Sequence, residues 1–284
     1  MTTIEFGGIT FDDEASTGFT FGRLKGWWDA APMRLNQNER PQGDGGFGSA
    51  KNWRGSRVIS QQGSYVGETM ADTYAAMEQI AAVQSSGVPS PFRVDEPIGA
   101  KQCVVSLANG PMLPDQIYTP YFTYTFDVVA ADPLKYGDAL MTSTTLPTSG
   151  GGIAYPITYP ISYGTSGYPG RITVSNPGTA DTYSLLEVTG GLASGFELTE
   201  VTTGQVIRFE RPLPVGSTVY LNPRTGRASI DGQSDVSGYL TRAEWWAVPA
   251  ASGGIPGLRE IQFNALGAVT GTPTLTSRTS PAYW

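Results

Sequence analysis

The stretch Phe122-Thr123-Tyr124-Thr125-Phe126-Asp127-Val128-Val129 decides the fold. Phe122, Tyr124, Phe126 and Val128 fall on one side of an extended chain, and Thr123, Thr125 and Asp127 on the other. Successive side chains of a strand point to opposite faces, so this alternation predicts an antiparallel strand with one face in a core and one face wet. Upstream, Gln102–Leu107 reads as a second strand. Its Cys103 lies in an apolar run and is expected to be a small core residue, since a free cysteine is usually buried and inert. Only 15% of residues are charged while Gly (36) and Pro (21) abound, a balance that suits short strands joined by turns and excludes a helical bundle.

One helix interrupts this pattern. Over Glu68–Gln84, apolar residues recur at Met70, Tyr74, Met77, Ile80 or Ala81, and Val83, the one-face spacing of an amphipathic helix, and Gly87 with Pro89 stops it. The segment Asn36–Gly48 is rich in glycine and polar residues and reads as a loop, either mobile or set against a neighbouring subunit. Residues 141–152 (MTSTTLPTSGGG) have little to bury and read as a linker. The expected domains are therefore 1–145, β-sheet with one α-helix, and 146–284, a β-sandwich. In the second, Ile172/Val174, Ile207/Phe209, Val219/Leu221, Ala228/Ile230 and Ile261/Phe263 alternate with polar neighbours between regular turn signals,.

A formal charge of −7 and a pI near 4.7 exclude a surface built to grip phosphates,. They suit a surface that nucleic acid slides past. The chain has no histidine and one cysteine, which removes Ser-His-Asp and Cys-His catalysis and the usual zinc sites. The first residues are polar, without the apolar core of a signal peptide, and no apolar run approaches a membrane span, so synthesis in a cytoplasm is expected.

Few constellations point to chemistry. Asp12-Asp13-Glu14 and Asp231–Asp235 read as turns, with a cation site as the alternative. The second lacks the closing glutamate of a calcium loop. Adjacent tryptophans in a strand face opposite sides, so Trp245-Trp246 and Trp27-Trp28 each offer one core residue and one that packs on a domain, a partner or a sugar. Glu197/Glu200 and Glu210/Glu244 are candidate carboxylate pairs for glycoside hydrolysis, with ordinary surface positions as the alternative. No catalytic, cofactor-binding or metal-binding residue is assigned, and no cofactor is expected.

Four stretches together resemble the siphophage distal tail (Dit) proteins. They are Phe122–Ala131 running into Asp132-Pro133-Leu134-Lys135-Tyr136; Arg171–Gly190 with its Asn-Pro-Gly-Thr-Ala turn; Ser217–Phe263; and the ending Arg278–Trp284. The resemblance spans essentially the whole chain. It implies a mainly β protein with a tail-tube-like N-terminal domain carrying one helix and a galectin-like C-terminal sandwich. It also implies a homohexameric ring at the virion tail tip, between the tail tube protein and the baseplate hub or tail-associated protein. Tape-measure protein and DNA would pass through the ring without specific binding. The expected function is thus a non-enzymatic structural virion protein. The alternatives are a carbohydrate-binding adhesion module that contacts host wall glycans and a glycan-cleaving enzyme. Fold likeness to galectins does not itself carry sugar binding.

Overall fold

Two sets of apolar side chains organise two units, Met1–Gly137 with Trp284, and Asp138–Tyr283. The computed structural model describes residues 2–12, 18–35, 38–48, 51–148, 150 and 167–284.

The first unit contains β1 (Thr3–Phe6), β2 (Ile9–Asp12), β3 (Phe19–Lys25), β4 (Arg57–Val66), α1 (Met70–Ala81), β5 (Ser90–Glu96), β6 (Gly99–Met112), β7 (Tyr121–Ala130) and β8 (Lys135–Gly137). The hydrogen-bonded order is β7-β4-β3-β2-β1-β5-β6, and β6 pairs again with β7, so seven strands close on themselves. Closure covers most edges in that ring of strands. Pairing is antiparallel except for one parallel bridge, Asp12 to Thr20. Register shifts in β6 on either side of Asn109 bend the sheet enough to close,.

Strand β7 lies as its alternation predicts: Phe122, Tyr124, Phe126 and Val128 are buried, and Thr123 is exposed. Its rings pack on Phe6 and Phe11, with Phe6–Phe126 and Phe11–Tyr124 centroids 5.6 and 5.5 Å apart. Cys103 is buried in the same core, and burial pushes its thiol up to about 12. The motif after β7 has a local cause. Asp132 accepts from Leu134 N at 3.2 Å and from the Tyr136 hydroxyl at 2.7 Å, which turns the chain into β8 beside β6.

The helix is shorter than the expected Glu68–Gln84 and buries a different face. Thr69 caps it: the Thr69 side chain accepts from Asp72 N while the Asp72 carboxylate accepts from Thr69 N, a capping box,. The buried residues are Thr73, Ala76 and Ile80, with Val83 just beyond the helix and Met77 packed at the margin. Met70 and Tyr74 face outward. Small Thr73 and Ala76 let the helix lie close to the strands, so size misleads where spacing alone is read.

The second unit contains β9 (Leu140–Thr145), β10 (Arg171–Asn176), β11 (Ser184–Thr189), β12 (Phe196–Glu200), β13 (Val206–Phe209), β14 (Thr218–Asn222), β15 (Arg227–Ile230), β16 (Leu240–Ala243), β17 (Gly257–Ala265) and β18 (Thr274–Thr279). One sheet runs β9-β18-β11-β14-β15 and ends on Ser234–Asp235; the other runs β10-β17-β12-β13-β16. Val188, Leu221 and Leu275 of the first share a core with Val174, Leu198 and Phe263 of the second, which makes a β-sandwich,. Asn176 explains the turn after β10. Its Nδ2 donates to Ala180 O and Pro249 O, and its Oδ1 accepts from Gly178 N.

Two expectations change. The division between units falls after Gly137 rather than after residue 145, because Leu140–Thr145 pairs residue for residue with Thr274–Thr279. The start of the expected linker is therefore a sandwich strand whose threonines hydrogen-bond through the backbone. The rest of that linker lies partly outside the described residues. Trp245-Trp246 follows β16 instead of lying in a strand.

Gly63 on β4 tests the packing of the first unit. A β-carbon there would stand 2.3 Å from the Tyr124 hydroxyl and 2.0 Å from Thr20 O. Gly63→Ala is expected to cost on the order of 1–3 kcal/mol through overpacking. Chemical denaturation should show a lower midpoint for the first unit alone; an unchanged midpoint would mean that both Tyr124 and the Thr20 backbone move aside freely.

Candidate assembly surface

Between β3 and β4 the chain leaves the closed strands and returns as an arm, residues 28–56. Its root is fixed by charge. Trp27 is fully buried, and its indole N–H donates to Glu96 Oε1 at 2.5 Å. Glu96 Oε2 accepts from Lys101 Nζ at 2.9 Å. Arg57, also buried, donates to the carbonyls of Gly26 (2.8 Å), Trp27 (3.2 Å), Asp29 (2.6 Å) and Pro133 (2.9 Å). Lys135 Nζ donates to Trp27 O at 2.9 Å and lies 5.3 Å from the Trp27 ring centre. Burial, then the nearby Arg57 and Lys101 charges, push the Lys135 ammonium down to about 8.

Beyond this root the arm is a thin hairpin. Met33–Arg34 pairs with Trp53–Arg54, and Asn38–Glu39 pairs with Gly46–Phe47. Gly55 N donates to Pro32 O, and the Arg54 guanidinium to Ala31 O. Met33, Leu35, Phe47 and Trp53 are each more than half exposed. In this register Met33 and Trp53 fall on opposite faces of the ribbon, so the hairpin exposes apolar groups on both sides, and such a concentration on one short segment suits an interaction site,. The expected loop Asn36–Gly48 is the tip of this hairpin; residues 36 and 37 lie outside the described residues.

The middle of the outer face of β4 and β7 is small and polar, and Val58, Val66 and Tyr121 stand exposed toward its ends. Asp127 accepts from Ser60 Oγ at 2.5 Å and Asn109 Nδ2 at 2.9 Å, and these hydrogen bonds hold its carboxyl below the usual range. Thr123, Thr125, Ser64 and Gln62 lie on the same outer face around it.

The other candidates come apart. Asp12 is buried in β2, and residues 13 and 14 lie outside the described residues. Asp231 accepts from Thr218 N, and Asp235 from Ser237 N, so both carboxylates hold turns. No group of three metal-ligating side chains occurs among the described residues. Glu197 and Glu200 differ in burial on alternate positions of β12. Glu200 is buried and accepts from Thr202 N and Thr203 N; Glu197 lies 3.9 Å from Arg208. Glu210 pairs with Arg208 and Glu244 with Arg242. Trp246 is in the sandwich core and Trp245 packs against it, so this pair offers no outward ring. Trp28 does stand out, 62% exposed. The clustering of exposed apolar groups on the arm was not legible in the sequence, because alternation there is broken by glycines and polar residues.

No helix among the described residues is long and apolar enough to cross a membrane. No family model matches the chain, and no curated protein does. Its fold is that of phage distal tail proteins. It is similar to the Dit (gp 19.1) protein of phage SPP1, a hub of the adsorption apparatus in phages that infect Gram-positive bacteria. That match has 13% identity, 100% of both chains covered and a TM-score of 0.68. It is also similar to chains of the phage P2 baseplate in its activated conformation with Ca and with Sr. Both share 11% identity over 98% of this chain and 97% of the other, with TM-scores of 0.50 and 0.51.

Lys135 gives the arm root a pH signature. Its ordinary value is 10.5, so between about 8 and 10.5 the unfolded chain binds a proton that the folded chain has released. Raising pH through that window therefore favours folding at this site. Cys103 acts with the opposite sign above its ordinary 9.0, because the folded thiol keeps its proton. Subtracting a Lys135→Met variant isolates the lysine. From pH ~7.5 to ~9.5 the parent chain should gain stability relative to the variant. A pH-independent difference in melting temperature would contradict this.

Proposed function

We propose that the chain is a structural subunit of a phage tail tip, a distal tail ring protein that joins the tail tube to the baseplate or receptor-binding hub of a long, non-contractile tail. The observation that carries this reading is the arm: a rigidly rooted hairpin that holds Met33, Leu35, Phe47 and Trp53 away from its own core. Such a surface needs a partner, and identical subunits joined head to tail close into a ring when the rotation between them allows. The likeness to SPP1 Dit over the full length of both chains supports the same reading.

In this reading the first unit forms a homohexameric ring whose axial partners are the tail tube protein and the baseplate hub or tail-associated protein. Tape-measure protein and DNA pass through the lumen without specific binding. The face around Asp127 suits a lumen wall because its threonines and serines do not obstruct, and Arg23 and Lys25 on β3 share that face with its carboxylate, so it carries no strong charge of either sign. Across a wide, solvated channel at physiological salt, where screening acts over about 8 Å, like charges from neighbouring subunits repel only weakly. The protein is made in the host cytoplasm and ends in the virion.

Deleting residues 38–46 removes the arm tip while the Arg57 root stays. The variant should lose most of its closed assemblies by light scattering and negative-stain electron microscopy, with the second unit still folded by circular dichroism. Normal rings from the deletion variant would remove the arm from assembly. A parent chain that stays monomeric at high concentration would remove the ring itself.

A further inference from the structure

The arm and the helix carry opposite charge. Residues 33–54 hold Arg34, Arg40, Lys51 and Arg54 against Glu39 and Asp44, a net +2 in a chain of net −7. Residues 58–92 contain no lysine or arginine, and their acidic groups are Glu68, Asp72 and Glu78. All three are exposed, at or along the outer side of α1. Between them lie Met70 and Tyr74, the residues whose outward placement contradicts the simple periodicity of the helix. Tyr74 is 50% exposed. The helix thus presents a short apolar strip, Met70 and Tyr74, that runs into Glu78 four residues on, with Glu68 just before the helix and Asp72 off that face,. The arm presents exposed rings flanked by cations: Lys51 Nζ sits 4.1 Å from the Trp53 ring centre, and the Arg40 guanidinium 5.7 Å from Phe47.

We propose that the arm of one copy of this chain lies on the outer face of α1 of the next copy, apolar strip on apolar strip and cations against Glu68 and Glu78. This rests on the ring reading above and names its interface. Both surfaces are exposed in a single chain, so the contact demands no rearrangement of either core. The match has direction, arm to helix, which is what a head-to-tail ring requires. Exposed ion pairs contribute little affinity each. Their larger effect is on partner choice and orientation, because like charges brought together are rejected. Burial of Trp53, Phe47 and Tyr74 supplies the driving force.

The test is charge reversal in the full-length chain, read by native mass spectrometry and multi-angle light scattering. An arm variant, Arg34→Glu with Arg40→Glu, and a helix variant, Glu68→Lys with Glu78→Lys, leave the capping residue Asp72 and the root residue Arg57 untouched. Each variant alone should assemble at least tenfold more weakly than the parent. Their equimolar mixture should recover assembly, since each arm then meets a helix of opposite sign in an alternating ring. Tyr74→Ala should weaken assembly without altering the far-ultraviolet spectrum. Parent chains that form rings while both reversals assemble normally would overturn this interface and leave the ring standing. So would weakened variants whose mixture fails to recover. Parent chains that form no closed assembly would instead overturn the ring reading on which the interface rests.

Discussion

The buried guanidinium of Arg57 is the constraint on which the first unit depends. Taking that charge out of water is expensive unless fixed dipoles replace the solvent. Here backbone carbonyls from residues 26, 27, 29 and 133 do so. Arginine suits this position because its planar fork offers several donors in fixed directions and keeps its charge when burial works against it. Burial lowers its pKa without a neutral form coming into reach. The same carbonyls lose partners if the side chain is removed. Each buried acceptor left unpaired costs roughly 1–3 kcal/mol, so this one residue ties the end of β3, the arm root and the turn after β7 together.

That tie makes the arm a projection rather than a loose loop. The seven strands close on themselves, which covers most of their edges,. The exposed apolar side chains of the arm are available for association of the first unit. Trp28 sits at the junction, with Lys101 and Lys135 each 5.9 Å from its ring centre. Its indole covers two cations that would otherwise meet solvent at the root. The arm thus begins on a desolvated ionic cluster and ends in water.

How much of this the sequence tells depends on what each residue answers to. Strand β7 is legible because one face is buried and the other wet, so period-two spacing has a single solution. The sandwich strands are legible for the same reason. The helix is legible in existence but not in orientation. Thr73 is buried with its hydroxyl bonded to Thr69 O, an arrangement that hydrophobicity cannot register, and Tyr74 is large but faces out. The linker reading fails at Leu140–Thr145 because edge-strand pairing is made by backbone groups, which threonine and serine supply as well as valine does. The arm root is illegible for a deeper reason. Glu96, Lys101, Lys135 and Arg57 come from four separate strands, and only the fold brings them to one tryptophan.

The same logic accounts for the carboxylates of the second unit. Carboxylates there accept backbone N–H groups at turns: Asp181 from Ala250, Asp231 from Thr218, Asp235 from Ser237 and Glu244 from Val206. Burial would raise Glu200, yet donors from Thr203 and Thr202 outweigh it and hold it below the usual range. A carboxylate engaged in this way is a poor proton donor at neutral pH, since protonation would cost it the hydrogen bonds that hold it. General acid catalysis asks for the reverse, a carboxyl raised toward neutrality by an apolar surround. The environments of Glu197, Glu200, Glu210 and Glu244 lack that surround. They offer cations and backbone donors instead, the surroundings of groups that fix loops in place.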